Sequence, residues 1–79
     1  MIIIINKSIF SSRLRLLRKK YYLSQKALAA LIGVSVYSLR GWESGALEPQ
    51  LHPQTLRRLC QVLDTTAEWL SDPDAFTER

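Results

Sequence analysis

The stretch that decides the fold is Ser24-Gln25-Lys26-Ala27-Leu28-Ala29-Ala30-Leu31-Ile32-Gly33-Val34-Ser35-Val36-Tyr37-Ser38-Leu39-Arg40-Gly41-Trp42-Glu43. Two short segments meet here at a glycine. Ser24 and Ser35 are favourable N-caps for two helices, and Gly33 permits the chain to reverse with a positive φ. Ala29 is small where the two helices must approach closely. The stretch therefore predicts two helices joined by a tight turn, with the outer face of the second helix, at 35–44, left free.

Apolar stripes on both sides of this pair predict three more helices. The stripe before it repeats at i, i+4, i+7 and i+11 and consists of Phe10, Leu14, Leu17 and Tyr21. Ser11 or Ser12 is the candidate N-cap of that first helix. The stripe after the pair consists of Leu56, Leu59, Cys60 and Leu63, and Pro53 suits the first position of this fourth helix. The pattern Thr65-x-x-Glu68 is a capping box that predicts a short fifth helix.

The length and the two ends of the chain suggest its organisation. Seventy-nine residues allow one domain with one hydrophobic core, which we place at residues 10–71. Residues 1–9 are an apolar N-terminal arm or strand, because residues 2–5 are consecutive β-branched isoleucines. We expect the arm to pack on the domain or on another chain, as a strand that pairs with its mate across a two-fold axis or with a partner's sheet edge. Residues 72–79 are an acidic tail.

The composition argues against several classes of protein. Cys60 is the single cysteine, so no internal disulfide can form, which fits a reducing cytoplasm. No apolar run approaches the roughly 20 residues needed to span a bilayer. His52 is the single histidine, so the chain lacks the residues for a metal cluster or a catalytic triad. We therefore expect a cytoplasmic protein that is not an enzyme and needs no metal or cofactor.

The positive charge is concentrated in the first third of the chain. The net charge is +4, yet residues 1–26 contain seven cations and no acid. Residues 27–79 contain four arginines against seven acids. A positive patch favours a polyanionic partner, and nucleic acid is the commonest polyanion in cells. On charge alone, a solvated helix face explains the pattern equally well.

Several motifs occur together in a recognisable order. They are Ser11-Ser12-Arg13-Leu14, Leu23-Ser24-Gln25 before Leu28-Ala29, Gly33-Val34-Ser35, Trp42-Glu43-Ser44-Gly45 and Ala67-Glu68-Trp69-Leu70. In these motifs the sequence resembles the Cro/repressor (XRE-like) helix-turn-helix family over roughly residues 10–70. The resemblance implies an all-α fold, a compact five-helix lambda-repressor-like domain, to which a short N-terminal β-strand can be added. It also implies binding to double-stranded DNA as a homodimer, with the 35–44 helix in the major groove.

The resemblance also implies roles for individual residues. The residues at or near the bases would be Ser35, Val36, Tyr37, Ser38, Arg40 and Gly41. The residues that contact phosphates would be Arg13, Lys19, Lys20, Gln25 and Lys26. Gln25 would in addition brace the recognition helix, and Arg18 and Glu43 would form a buried ion pair between the first and third helices.

Some positions depart from the family's pattern. Val36 and Gly41 occupy places where relatives often carry glutamine or other base readers, so little direct hydrogen-bond readout is left. Val36 could contact a thymine methyl, and Gly41 could let the backbone approach the DNA closely. Glu48 stands in a loop that is often basic and would repel DNA there. Tyr22 stands where the family usually has glycine, which predicts strain or a modified turn after the first helix.

These departures leave two alternatives beside a sequence-preferring repressor of the prophage type. The first is an antitoxin or regulatory module whose main task is to bind a protein partner, such as a toxin, through the apolar arm. The second is an interaction domain that has lost DNA binding. The weak base-reading face favours both, and the acidic tail favours the first.

Overall fold

A computed structural model describes the backbone of residues 3–4 and the whole of residues 7–71. This part of the chain forms two short strands, β1 (Ile3–Ile4) and β2 (Gln50–Leu51). Its five helices are α1 (Lys7–Lys20), α2 (Gln25–Ile32), α3 (Val36–Ser44), α4 (Pro53–Val62) and α5 (Ala67–Ser71). The predicted five-helix class with an added N-terminal strand is confirmed. The acidic tail at 72–79 lies outside the described residues, as do residues 1–2 and 5–6 of the arm.

The turn between α2 and α3 forms as the sequence predicts. The Ser24 side chain accepts a hydrogen bond from the Ala27 N–H at 3.0 Å, which caps α2. Gly33 has a φ of 77° and donates its N–H to the Ala29 carbonyl at 2.9 Å. The Ser35 hydroxyl then accepts from the Ser38 N–H at 3.0 Å and caps α3. Local hydrogen bonds thus end one helix and begin the next within three residues.

The start of α1 differs from the prediction. The helix begins at Lys7, so the proposed caps Ser11 and Ser12 lie inside it. Ser12 donates its hydroxyl back to the carbonyls of Ser8 and Ile9, and Ser11 donates to the Trp42 carbonyl on α3. The prediction of a cap was wrong because a serine hydroxyl inside a helix can bond a preceding carbonyl instead of a free N–H.

The core lies where the helices cross. α1 packs against α3 and α5, and α2 packs against α3 and α4. The largest completely buried apolar side chains of the helices are Phe10, Leu14, Leu28, Ile32, Leu39, Leu59 and Leu70. Phe10 also meets Trp42 edge to face, with ring centroids 6.2 Å apart. Each fully buried side chain of this size contributes roughly 1.5–3 kcal/mol to the free energy of unfolding. The packed core holds the turn between α2 and α3 in place and leaves the outer face of α3 exposed.

The N-terminal strand pairs within its own chain. β1 runs antiparallel to β2, with Ile3 opposite Leu51 and Ile4 opposite Gln50. Of the two placements expected for the arm, on its own domain or on another chain, this pairing is the first. Leu51 is completely buried, which holds β2 extended beside the domain, and pairing within one chain avoids the entropic cost of association.

The last two helices are capped by residues that the sequence did not indicate. His52 Nδ1 accepts from the Gln54 N–H at 3.1 Å, so this histidine is the N-cap of α4. Thr66, rather than Thr65, caps α5, because its hydroxyl accepts from the Trp69 N–H at 3.1 Å. The capping-box prediction was wrong by one residue. None of the helices in the described part of the chain is long and apolar enough to cross a membrane.

Tyr22 forms the turn after α1 in a left-handed conformation. Its φ is 57° and the residue is 95% exposed. Its N–H donates to the Lys19 carbonyl, and the next N–H, of Leu23, donates to the Arg18 carbonyl. The turn therefore has the left-handed conformation that a glycine would adopt. Because Tyr22 has a Cβ, its backbone carries the strain that the sequence predicts.

Replacing Tyr22 with glycine is expected to raise the free energy of unfolding by about 1 kcal/mol, because the left-handed region costs a non-glycine residue roughly 1–2 kcal/mol. Urea unfolding followed by circular dichroism measures the change. Tyr22→Ala is the control, since it removes the exposed ring and keeps the Cβ. Equal gains in both variants would show that the ring, and not the backbone, is responsible.

Candidate nucleic-acid interface

A buried ion pair joins α1 to α3. Arg18 Nε donates to Glu43 Oε2 at 2.6 Å, and Arg18 Nη2 donates to Glu43 Oε1 at 3.0 Å. The two side chains are only 11% and 3% exposed. Arg18 Nη1 also donates to the Leu23 carbonyl at 2.7 Å, which ties the pair to the turn before α2. The ion pair that the resemblance implies is thus present, with the two-point geometry that makes such pairs strong.

Gln25 extends this contact to α2 and to the surface. Its Nε2 donates to Glu43 Oε1 at 3.1 Å, and its Oε1 accepts from Arg40 Nε at 3.3 Å. Gln25 therefore braces α3 through both the nitrogen and the oxygen of its amide, as the resemblance implies. Its contact with a phosphate stays a prediction. Together, Arg18, Glu43, Gln25 and Arg40 form a chain of hydrogen bonds from the interior to the exposed face of α3.

An open groove of about 680 Å³ lies above this chain of hydrogen bonds, between α1, α3 and the loop that follows α3. Its lining residues are Arg15, Arg18, Lys19, Gln25, Tyr37, Arg40, Gly41, Glu43, Ser44, Ala46 and Leu47. Three of its cations, Arg15, Lys19 and Arg40, are exposed. Its acid, Glu43, is neutralised by Arg18. The groove is therefore positively charged and open to solvent.

Arg15 is a groove residue that the sequence reasoning left out of the phosphate set. Arg15, Arg18 and Lys19 lie three and four residues apart in α1, so they share one face of the helix. Because Arg18 points to Glu43 on α3, its two neighbours on that face point to the same side. Its distance of three residues from Arg18 was the sequence signal for placing Arg15 in the groove. This signal can be used only when Arg18 has already been assigned to the ion pair with Glu43.

The predicted base-reading residues are not equally available. Ser35, Tyr37 and Arg40 are exposed, and Tyr37 is 73% exposed. Val36 and Ser38 are half-buried, and the Ser35 hydroxyl bonds that of Ser38 at 3.1 Å. The most accessible side chains of this set are therefore Tyr37 and Arg40, and its base contacts stay predictions.

Gly41 is buried, and the structure gives a different reason for its missing side chain. A Cβ on Gly41 would overlap Cγ and Cδ1 of Leu47. The Leu47 N–H also donates to the Gly41 carbonyl at 3.1 Å. The glycine therefore makes room for the loop after α3, whereas the sequence suggested that it makes room for DNA.

The predicted phosphate-binding residues also differ in their surroundings. Lys19, Lys20 and Lys26 are exposed. Arg13 is half-buried: it donates Nη1 to the Trp69 carbonyl, and its guanidinium lies 4.8 Å from the centre of the Trp69 ring. The Arg13 side chain thus joins α1 to α5. This contact with Trp69 competes with a contact between Arg13 and a phosphate.

In residues 7–71, no group of histidine, cysteine and acidic side chains is arranged to hold a metal ion. Burial raises the pKa of the Cys60 thiol, so its nucleophilic thiolate is disfavoured at neutral pH.

Glu48, which was expected to repel DNA, forms an exposed ion pair with Lys7. Its Oε1 lies 3.6 Å from Lys7 Nζ, and the charge of Lys7 offsets that of Glu48.

Two helices joined at a left-handed glycine, with an exposed second helix braced by a buried ion pair, define a helix-turn-helix domain. The chain belongs to the helix-turn-helix family, of the Cro/repressor (XRE) type. The sequence profile of this family matches residues 14–70 of the chain. A comparison with curated protein sequences finds no match.

Solved structures of several proteins are similar to this chain. The P22 c2 repressor, solved in complex with a synthetic operator, is 31% identical with a TM-score of 0.72, over 82% of this chain and 96% of that protein. The restriction-modification controller protein C.AhdI from Aeromonas hydrophila is 32% identical with a TM-score of 0.66, over 78% of this chain and 91% of that protein. Hydroxypropylphosphonic acid epoxidase from S. wedmorenis is 28% identical with a TM-score of 0.70, but this chain spans only 35% of that enzyme.

Replacing Arg18 with methionine is expected to lower the free energy of unfolding by about 3–5 kcal/mol, because Glu43 is left buried without its partner. Lys20→Met, at an exposed cation of the same helix, is the control. The double variant Arg18→Met/Glu43→Met should recover part of the loss. Urea unfolding of all three variants measures this, and equal losses for Arg18→Met and Lys20→Met would contradict it.

Adding a methyl group at Gly41 is expected to force Leu47 out of place. Gly41→Ala should therefore cost about 1–3 kcal/mol, and the same change should cost much less when Leu47 is already alanine. A double-mutant cycle measured by urea unfolding tests this coupling. Strictly additive losses would show that another group fills the space above Gly41.

Proposed function

We propose that this chain is a sequence-preferring DNA-binding transcriptional regulator that inserts α3 into the major groove. The observation that carries the proposal is the exposed face of α3 beside a cation-lined groove. A major groove admits one α-helix, and the buried pair of Arg18 and Glu43 holds α3 in a single orientation. The likeness to the P22 c2 repressor, 31% identical and solved with an operator, supports it.

The charge around the groove suits the DNA backbone. Arg15 and Lys19 lie on α1 and Arg40 lies on α3, so the exposed cations stand on both sides of the groove. Phosphates along the edge of a DNA major groove would meet Arg15 and Lys19 on α1, while α3, which carries Arg40, lies in that groove. Such contacts supply affinity and register, and they do not distinguish one base sequence from another.

Sequence preference would come from the few side chains that α3 exposes. Tyr37 and Arg40 are exposed towards the base edges, although Arg40 Nε donates to Gln25 Oε1. Val36 is half-buried, so it can offer a base only part of its side chain. A short set of direct contacts predicts modest discrimination between operators.

A homodimer on a pseudo-palindromic operator fits the size of the domain. The longest extent of the domain is 30 Å, and recognition helices of such dimers enter successive major grooves about 34 Å apart. Two copies side by side on one face of the duplex would match this spacing. The expected output is repression, because a dimer bound there blocks access of the polymerase.

The limited reading face also favours a second function. With Gly41 covered by Leu47 and Val36 half-buried, the domain can serve as an antitoxin or regulatory module that binds a protein partner. Among the described residues, the ladder of β1 and β2 leaves one edge of β1 unpaired, and an unpaired strand edge is a common site for a partner's strand.

Fluorescence anisotropy between about 50 and 200 mM salt tests the proposed function. The wild-type protein is titrated with the DNA upstream of its own gene and with random duplex. A steep loss of affinity with salt and a preference of roughly 10³ or more for the upstream DNA support a regulator that controls its own gene. Weak binding without preference contradicts it and favours the partner-binding module.

The double variant Arg15→Ala/Lys19→Ala tests the role of the groove. It is expected to reduce the salt slope by about 1.8, because each lost phosphate contact removes roughly 0.9. Arg57→Ala/Arg58→Ala, which removes two exposed cations of α4 outside the groove, is the matched control and should change the slope less. Equal changes in both variants would place the DNA elsewhere.

A further inference from the structure

The exposed face of α3 has a gap at its centre. Tyr37, Arg40, Gly41 and Ser44 all line the groove, and their spacing of three, four and seven residues places them on one face of the helix. Tyr37, Arg40 and Ser44 are exposed, whereas Gly41 is buried and has no side chain to present. A base-reading helix therefore lacks a side chain at one of its central positions.

Leu47 fills this gap from outside the helix. A side chain on Gly41 would begin where Cγ and Cδ1 of Leu47 stand, so the leucine occupies the place that a residue at position 41 would use. Leu47 is only half-buried and lines the groove. Part of its apolar surface therefore faces the groove between Tyr37 and Ser44.

Backbone and hydroxyl contacts hold this leucine in position. The Leu47 N–H donates to the Gly41 carbonyl at 3.1 Å. The Ser44 hydroxyl donates to the same carbonyl at 3.3 Å and accepts from the Ala46 N–H at 3.3 Å. The loop is thus attached to the last turn of α3, and Leu47 moves with the helix as one of its own side chains would.

We infer that Leu47 is a specificity-determining residue that reads thymine from the loop after α3. This inference rests on the proposed function, because it requires α3 to lie in the major groove. Base edges in that groove present donors, acceptors and a single apolar group, the C5-methyl of thymine. A leucine pressed against a donor or acceptor would leave that group without a hydrogen bond. Leu47 therefore favours a thymine methyl at the base that it meets.

Removing single methyl groups from the DNA tests the inference without changing the protein. A preferred duplex is first selected from a random library with the wild-type chain, and each thymine is then replaced in turn by uracil. One thymine in each half-site is expected to lose about fourfold in affinity, the effect of one buried methyl group. The wild-type protein binding every uracil duplex as tightly as the thymine duplex would overturn the inference.

Variants of the protein assign the effect to Leu47. Leu47→Ala and Leu47→Asn are expected to bind the thymine and uracil duplexes equally, and Leu47→Asn is included because it keeps the approximate shape of the side chain. Leu16→Ala is the control, since Leu16 is 60% exposed and lies outside the groove lining. It should keep the fourfold difference. A difference that persists in the folded Leu47 variants would assign the methyl contact to another residue and overturn the inference.

The salt dependence of binding to random duplex separates this inference from the proposed function. A steep salt slope without any effect of uracil overturns the role of Leu47 and leaves the DNA-binding function supported. Absence of salt-sensitive DNA affinity overturns the proposed function and, with it, the role of Leu47.

Discussion

The buried ion pair of Arg18 and Glu43 sets the arrangement of the three helices around the groove. Both charges are withdrawn from water, so neither can lose the other without a large cost in stability. α1 and α3 are therefore held at one separation and one rotation. Gln25 carries the same constraint to α2 and outward to Arg40. The orientation of the exposed face of α3 thus depends on a contact between residues far apart in the chain.

Tertiary partners also sort residues of the same type into different roles. Arg13 and Arg15 are two residues apart on α1 and carry the same charge. Arg13 lies against Trp69 and joins α1 to α5, whereas Arg15 opens into the groove. Composition and charge describe both as cations of a basic helix. The neighbouring helix decides which of them remains available to a polyanion.

Local signals predicted the central part of the fold and were less reliable at its edges. Ser24, Gly33 and Ser35 act through hydrogen bonds and dihedral angles within a few residues, so the turn between α2 and α3 followed from the sequence. Thr65 was assigned as a cap wrongly, because the neighbouring Thr66 offers the backbone an equivalent hydroxyl, and Thr66 is the one at the helix end. Ser11 and Ser12 were assigned wrongly because α1 begins at Lys7, which places both serines inside the helix.

The sequence by itself determined the helical class, the helix-turn-helix and the strand-forming tendency of the N-terminal isoleucines. These features arise from the period of apolar residues and from backbone preferences, which act locally. The tertiary structure decided that β1 pairs with β2, that Arg15 belongs to the groove and that Leu47 covers Gly41. Each of these depends on the distance between segments remote in the chain, and that distance is set only when the core packs.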